Sequence, residues 1–274
     1  MTTTLRPIEP LQHAADGTRS RRFQVCVNSR PVGRIDLDTS SSFGSEVARI
    51  RKLHIEEPDR RRGRGTVAAL AAEEIARGWG CGRIEVAVPA EAEAALRAAT
   101  ALGYVPRARA MGKALGATPP NLPAGSSSRP MTPAEFGGWQ DHEMEAYAQS
   151  WISRGVPEAE ARAKAEKDHA TFLPDGSGTE GMTLSVLEHE GTRVGTLWVG
   201  TRDGQAFVYD VETDEAHRGH GHGRSLMLLA EAQAVAGGRT GIRLNVFAGN
   251  APAERLYESL GYETITHHLY KELL

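Results

Sequence analysis

The feature that most constrains the fold of this 274-residue chain is a glycine-rich loop between an apolar strand and a helix. The predicted strand covers Phe207 to Val211, the loop covers Asp214 to Arg224, and the predicted helix runs from Ser225 to Ala236. Glycines at alternate positions let backbone N–H groups face an anion without obstruction by a Cβ atom, and the helix N-terminus adds a positive partial charge. The pattern therefore predicts a pyrophosphate-binding loop.

Two better-known phosphate loops do not fit this sequence. A nucleotide-triphosphate loop requires Lys and then Ser or Thr after its last glycine, whereas Gly223 is followed by Arg224 and Ser225. A dinucleotide loop requires Gly or Ala at position 224. What the chain has instead is Arg-x-x-Gly-x-Gly, formed by Arg218, Gly221 and Gly223.

A second motif follows the loop: Asn250-x-x-Ala253-x-x-Leu256-Tyr257-x-x-Leu260-Gly261-Tyr262. Together the two motifs resemble the GNAT N-acetyltransferase superfamily, which binds acetyl-CoA as co-substrate by such a loop. The resemblance implies acetyl transfer to a primary amine of a small molecule or peptide by direct attack. A non-catalytic acetyl-CoA-binding regulatory protein is the alternative function.

The resemblance also implies roles for individual residues. Tyr257 is expected to protonate the departing CoA sulfur, and Asn250 to cap its helix or bind the pantetheine arm. Backbone N–H groups of Val211, Glu212 and Thr213 are expected to hold the acetyl carbonyl. The residues expected to bind pyrophosphate are Arg218, Gly219, His220, Gly221, His222, Gly223 and Arg224.

The general base has two candidates on the strand before the loop. Asp210 and Glu212 alternate along this strand and can share one face, where a carboxylate could deprotonate an ammonium group. The family often uses a glutamate near this position, so Glu212 is the expected base.

Three histidines, His217, His220 and His222, are close enough in sequence to suggest a metal site. A loop whose amides face an anion is a poor place to collect neutral imidazoles around a cation, so we expect no metal.

The domain organisation follows from a Pro/Gly/Ser-rich linker at residues 117–128. Residues 1–116 and 129–274 each repeat one order of strands, loop, helix, strand, helix and a Leu-Gly-Tyr ending, which indicates duplication of a domain. We therefore expect an α/β protein of two tandem GNAT-fold domains, each with a mostly antiparallel sheet flanked by helices. Thr132 and Glu135 predict a capping box at the start of two helices that have no room in the first domain.

The first domain is expected to be degenerate. When Arg62-Gly63-Arg64-Gly65-Thr66-Val67 is read as its loop, Val67 replaces the second glycine, which predicts weak phosphate binding. The position of Asn250 is taken by Ala92, and that of Tyr257 by Ala99.

The composition of the chain argues against two classes of partner, membranes and nucleic acids. Apolar residues make up 40% of the chain and charged residues 24%, with no long apolar run, so we expect a cytoplasmic protein without a membrane partner. The arginines before Gly63 lack interleaved aromatics, so we expect no nucleic-acid partner. Cys26 and Cys81 lie in apolar runs and are expected to be reduced core thiols.

Overall fold

The computed structural model describes residues 2–39 and 46–273, which form two compact units. One unit contains the chain up to Arg109 together with the stretch from Thr266 onward, and the other runs from Ala110 to Ile265. The units therefore do not coincide with the segments on either side of the linker, because each unit includes the terminal strand of the other segment.

The first unit is a mixed sheet with two helices. Its strands follow the order β1-β3-β4-β5-β6-β13, with β2 beside β3; only β5 and β6 of this set pair in parallel. The elements of the first segment are β1 (Thr3–Pro7), β2 (Gln12–His13), β3 (Arg19–Val27), β4 (Arg30–Thr39), β5 (Val47–Ile55), α1 (Arg64–Gly78), β6 (Arg83–Pro89), α2 (Glu93–Ala101) and β7 (Val105–Ala114).

The second unit repeats this plan and adds two long helices. Its strands follow the order β7-β12-β11-β10-β9-β8, and β11 and β12 pair in parallel. The elements of the second segment are β8 (Ser126–Pro130), α3 (Pro133–Ile152), α4 (Glu158–Phe172), β9 (Met182–His189), β10 (Thr192–Arg202), β11 (Gln205–Thr213), α5 (His222–Ala236), β12 (Gly241–Phe247), α6 (Ala251–Ser259) and β13 (Glu263–Glu272). The predicted α/β class with a mostly antiparallel sheet is confirmed.

Each terminal strand is fixed in its unit by a buried ion pair. In the second unit, Lys113 of β7 donates to both Glu231 carboxylate oxygens at 2.8 and 2.9 Å, and Glu231 is only 4% exposed. In the first unit, Lys271 of β13 donates to Glu73 at 2.6 Å. These cations compensate carboxylates that would otherwise be costly to bury.

The two long helices change the character of the sheet that they cover. Along β4, buried Ile35 and Leu37 alternate with the charged side chains of Arg34, Asp36 and Asp38, so only one face of this strand is buried. Along β10, every residue from Val194 to Gly200 is buried. Among its described residues the first unit thus has no helix over the corresponding face, as the short spacing of its opening strands predicted.

The predicted helix cap and the predicted core cysteines are also observed. The Thr132 backbone N–H donates to Glu135 Oε2 at 2.9 Å, which completes the predicted capping box of α3. Cys26 and Cys81 are both buried in the core. Within the described residues no helix combines the length and apolarity needed to cross a membrane.

Candidate active site

The site in the second unit begins where β11 and β12 separate. Their parallel ladder pairs Ala206 with Ile242 and ends at Val208 with Leu244, although β11 continues to Thr213. A register shift against β10 falls at the same point, since Trp198 pairs with Asp210 and Val199 with Val208. Beyond Val208, β11 therefore has no ladder partner on its β12 side. This gap is where the expected N–H donors Val211, Glu212 and Thr213 lie.

The glycine loop leads from this gap into α5. Gly219 and Gly221 have φ values of +80° and +87°, a left-handed conformation that residues with a Cβ rarely adopt. Gly221 is the N-cap of α5, and the helix begins at His222, three residues earlier than predicted. A Cβ atom at Gly223 would lie 3.2 Å from Leu256 Cδ2, so α5 and α6 approach closely here. The backbone conformation therefore favours glycine at 219 and 221, and Gly223 leaves little room for a Cβ atom, which fits a loop that binds an anionic pyrophosphate.

The charged residues of the loop differ in accessibility. The Arg218 side chain is 59% exposed, and its guanidinium donates to Thr213 O at 3.2 Å and to Glu212 Oε1 at 3.4 Å, so an anion in solvent can reach it. His220 Nδ1 donates to Arg218 O at 2.9 Å. Arg224 instead donates to Ser259 Oγ of α6 at 2.6 Å.

The loop histidines pack together. His222 is 8% exposed, and its ring lies 5.1 Å from that of His189 and 6.3 Å from that of His220. Burial, followed by the neighbouring imidazoles, lowers the pKa of His222. Over residues 2–39 and 46–273, no group of three or more His, Cys, Asp or Glu side chains has a metal-binding arrangement.

Helix α6 carries the two motif residues expected to act on the thioester. Asn250 is its N-cap and accepts a hydrogen bond from the Ala253 N–H at 3.3 Å. Tyr257 is 7% exposed, and burial, then the charge of Asp210, raises its pKa to about 12. A phenol that stays protonated at neutral pH is suited to give a proton to a thiolate.

Asp210 and Glu212 have different surroundings, although they share one face of β11. Burial, then the charges of Glu143 and Glu212, raises the pKa of Asp210 to about 8. Glu212 faces a groove of about 460 Å³ that is lined by Trp139, His142 and Arg218. Its Oε2 lies 2.8 Å from His142 Nε2.

Helices α3 and α4 supply side chains that the sequence reasoning did not identify. His142 and Glu143 lie on α3, and the Glu143 carboxylate contacts His169 Nε2 of α4. The three indoles of Trp139, Trp151 and Trp198 are buried in this unit. The only sequence signal for this set is the clustering of aromatic and acidic residues on helices beside a phosphate loop.

The loop of the first unit keeps the arginine and the last two glycines, with Arg61 (φ +56°) at the position of Gly219, which corrects the expectation about Val67. Helix α5 begins 158 residues after α1 (222 minus 64), and Gly63 caps α1 with φ +71°, as Gly221 caps α5. Arg60 Nε donates to Ile55 O at 2.7 Å, which matches the Arg218 bond to Thr213. The loop is therefore Arg60-x-x-Gly63-x-Gly65, and Val67 is an exposed residue of α1.

The same offset of 158 residues confirms that the first unit has lost the side chains that correspond to Asn250 and Tyr257. Ala92 is the N-cap of α2, where α6 has Asn250, and Ala99 is the buried counterpart of Tyr257. The first unit keeps the cradle and its own strand separation, since the ladder of β5 and β6 ends at Ile50 with Val86. It lacks the phenol, the amide and the helical wall.

Two mixed sheets, each with a parallel pair that separates beside a glycine loop, are the architecture of a tandem GNAT-type transferase. The chain belongs to the acetyltransferase (GNAT) family, whose model matches residues 3–104 and 138–262.

Similar proteins agree with this assignment. The "Uncharacterized N-acetyltransferase YdgE" of Bacillus subtilis is 28% identical over 52% of the chain and 95% of its own length. A "Mycothiol acetyltransferase" of Brachybacterium faecium is 29% identical over 76% of the chain and 63% of its own length. A solved tandem GNAT protein from the clavulanic acid biosynthesis pathway has a TM-score of 0.54 at 20% identity, covering 96% of this chain and 85% of that one, which supports the fold.

Proposed function

We propose that the protein transfers an acetyl group from acetyl-CoA to a primary amine, and that the segment 129–274 carries out catalysis. The observation that carries this proposal is Tyr257, a buried phenol whose pKa is raised in part by the charge of Asp210, a β11 residue beyond the last pair with β12. The segment 1–116 has Ala99 at this position and would serve a structural or regulatory role. A cytoplasmic location stays a prediction.

Three parts of the site would each have a separate role in acetyl transfer. The glycine loop and Arg218 bind the pyrophosphate, because left-handed glycines and a helix N-terminus favour an anion. The N–H groups of β11 beyond Val208 stabilise the carbonyl oxygen as negative charge develops on it. Tyr257 then gives its phenolic proton to the departing thiolate.

The acceptor would enter through the groove between α3 and β11. This groove exposes the carboxylate of Glu212 beside the His142 ring, so it favours a cationic amine over an acidic acceptor. The equivalent face of the first unit carries paired charges such as Arg49 with Asp38 at 3.0 Å and has no helical wall. This difference supports a single catalytic centre.

The direct test is thiol release from acetyl-CoA over a panel of primary amines, followed by Tyr257→Phe. We expect the variant to keep acetyl-CoA affinity and to lose about 10²- to 10⁴-fold in kcat, the range for a lost general acid. Tyr262→Phe is the matched control, because this tyrosine is also buried and its ring lies 6.0 Å from that of Tyr257.

The control separates chemistry from packing. Tyr262→Phe is expected to change stability with little effect on kcat. If the wild-type protein binds acetyl-CoA but releases no thiol with any amine of the panel, the non-catalytic regulatory alternative is favoured. Full activity of Tyr257→Phe would remove the phenol from the mechanism.

A further inference from the structure

Two carboxylates lie on the same face of β11, but only one of them has an oxygen free of partners. Glu212 uses Oε2 toward His142 at 2.8 Å and Oε1 toward Arg218 at 3.4 Å. Asp210 Oδ2 is shielded from solvent and has no hydrogen-bond partner among the described residues. Removing such an atom from water is unfavourable unless a ligand compensates it.

Asp210 is also better placed than Glu212 to act as the general base. A base for the attacking nitrogen and an acid for the leaving sulfur must flank one carbonyl carbon. The charge of Asp210 contributes to the raised pKa of Tyr257, so the two groups lie within the range of electrostatic interaction. Glu212 lines the groove through which the acceptor would enter, but both of its carboxylate oxygens are already engaged, by His142 and Arg218.

A buried acid and histidine pair packs against Trp198, the β10 residue that pairs with Asp210: the rings of His169 and Trp198 are 5.5 Å apart. His169 Nδ1 is 3.0 Å from Ala165 O, and a carbonyl oxygen only accepts, so Nδ1 carries a hydrogen. The other nitrogen, Nε2, contacts the Glu143 carboxylate, and this contact requires one more proton on either partner. The side chains are 4% and 12% exposed, so the pair keeps this proton away from solvent.

The pair and Asp210 influence one another through charge. Burial alone would lower the pKa of His169, but the hydrogen bond and charge of Glu143 outweigh burial and raise it. Glu143 in turn raises the pKa of Asp210, while His169 lowers it. The groups that face Asp210 are thus Glu143 of α3, His169 of α4, Glu212 of β11 and Tyr257 of α6.

We propose that Asp210 is the base that takes a proton from the ammonium group of the acceptor, and that the Glu143–His169 pair tunes this carboxyl. The proposal rests on the proposed function and deepens it: the acceptor class is an amine that arrives as a cation. The cation supplies the missing partner of Asp210 Oδ2.

The proton balance is complete without any further reactant. Asp210 removes one proton from the ammonium group, which frees the nitrogen lone pair. The nitrogen forms a bond to the thioester carbonyl carbon, the carbon–sulfur bond breaks, and Tyr257 protonates the thiolate. The second nitrogen proton restores the Tyr257 phenol as the amide forms, and Asp210 releases its proton to solvent.

The test compares two small nucleophiles with the full-length chain. Both are assayed at about pH 9, above the pKa of Asp210, where n-butylamine is still an ammonium ion and needs a base, whereas hydroxylamine is uncharged and does not. We expect Asp210→Asn to lose about 10²- to 10⁴-fold in thiol release with n-butylamine and to change little with hydroxylamine. Asp210→Glu should recover part of the n-butylamine rate.

Each possible result decides the assignment. An equal loss with both nucleophiles, or an unchanged n-butylamine rate, overturns the role of Asp210. Glu212→Gln is the matched comparison and should lower both rates alike, so its ratio of rates stays that of the wild type. A wild-type protein that releases no thiol with either nucleophile overturns the proposed function and this assignment with it.

The tuning role of the pair has its own readout. Glu143→Gln removes the negative charge that raises the pKa of Asp210. The acidic limb of the n-butylamine pH–rate profile should therefore move to lower pH, whereas the hydroxylamine profile should stay in place. A limb that does not move would show that Glu143 acts only in packing.

Discussion

The Asp210 carboxylate should lower the free energy of unfolding of the second unit as the pH rises. Asp210→Asn should therefore stabilise this unit in a pH-dependent way. The pKa of Asp210 is raised from 3.8 to about 8 in the folded chain. Between these values the folded state binds a proton that the unfolded state has released. The stability contributed by this group is therefore complete below about pH 4 and is lost as the pH rises to about 8.

The magnitude follows from the size of this interval. One pKa unit corresponds to about 1.4 kcal/mol, so wild-type stability falls by about 1.4 kcal/mol per pH unit relative to Asp210→Asn. From pH 5 to pH 8 the advantage of the variant should grow by up to about 4 kcal/mol. Readjustment of Glu143, Glu212 and His169 makes this an upper limit.

The assay is urea unfolding followed by tryptophan fluorescence. Trp139, Trp151 and Trp198 are buried in the second unit, so a Trp79→Phe background reports on that unit. Glu160→Gln, which changes an exposed carboxylate of α4, is the control and should show no pH-dependent gain. A stability difference for Asp210→Asn that does not change between pH 5 and pH 8 would refute the reasoning.

Two further predictions concern the loop and the terminal strand. Gly221→Val should abolish acetyl-CoA-dependent turnover because φ is +87° at this position, whereas Gly63→Val, in the matching loop of the first unit, should leave most turnover intact. The measurements are steady-state rates and melting temperatures of both variants. A selective loss of turnover in a folded Gly63→Val variant would show that catalysis belongs to the first unit. Lys113→Met should destabilise the second unit by about 3 to 5 kcal/mol, since Glu231 would remain buried without a cation. Adding Glu231→Gln should recover part of this loss in urea unfolding, and no recovery would mean that Lys113 contributes packing alone.

The sequence by itself determined the parts of the site that lie close together along the chain. A strand, a glycine loop and a helix follow one another without interruption, so alternation of glycines was enough to predict a glycine-dependent loop before α5, where Gly219 and Gly221 have positive φ. The Asn250 cap and the buried Tyr257 are likewise one helical motif. Such features depend on local backbone geometry, which a short segment specifies.

The tertiary structure decided what depends on pairing between distant segments. Arg60, Arg61 and Arg62 precede two glycines, so the sequence offered more than one register for the first loop, and only the left-handed Gly63 at the start of α1 selects the correct one. The placement of β7 and β13 in the other unit depends on strand pairing, which no local pattern encodes. The surroundings of Asp210 likewise arise from side chains on α3, α4 and α6, because electrostatic interaction depends on distance in space and not along the chain.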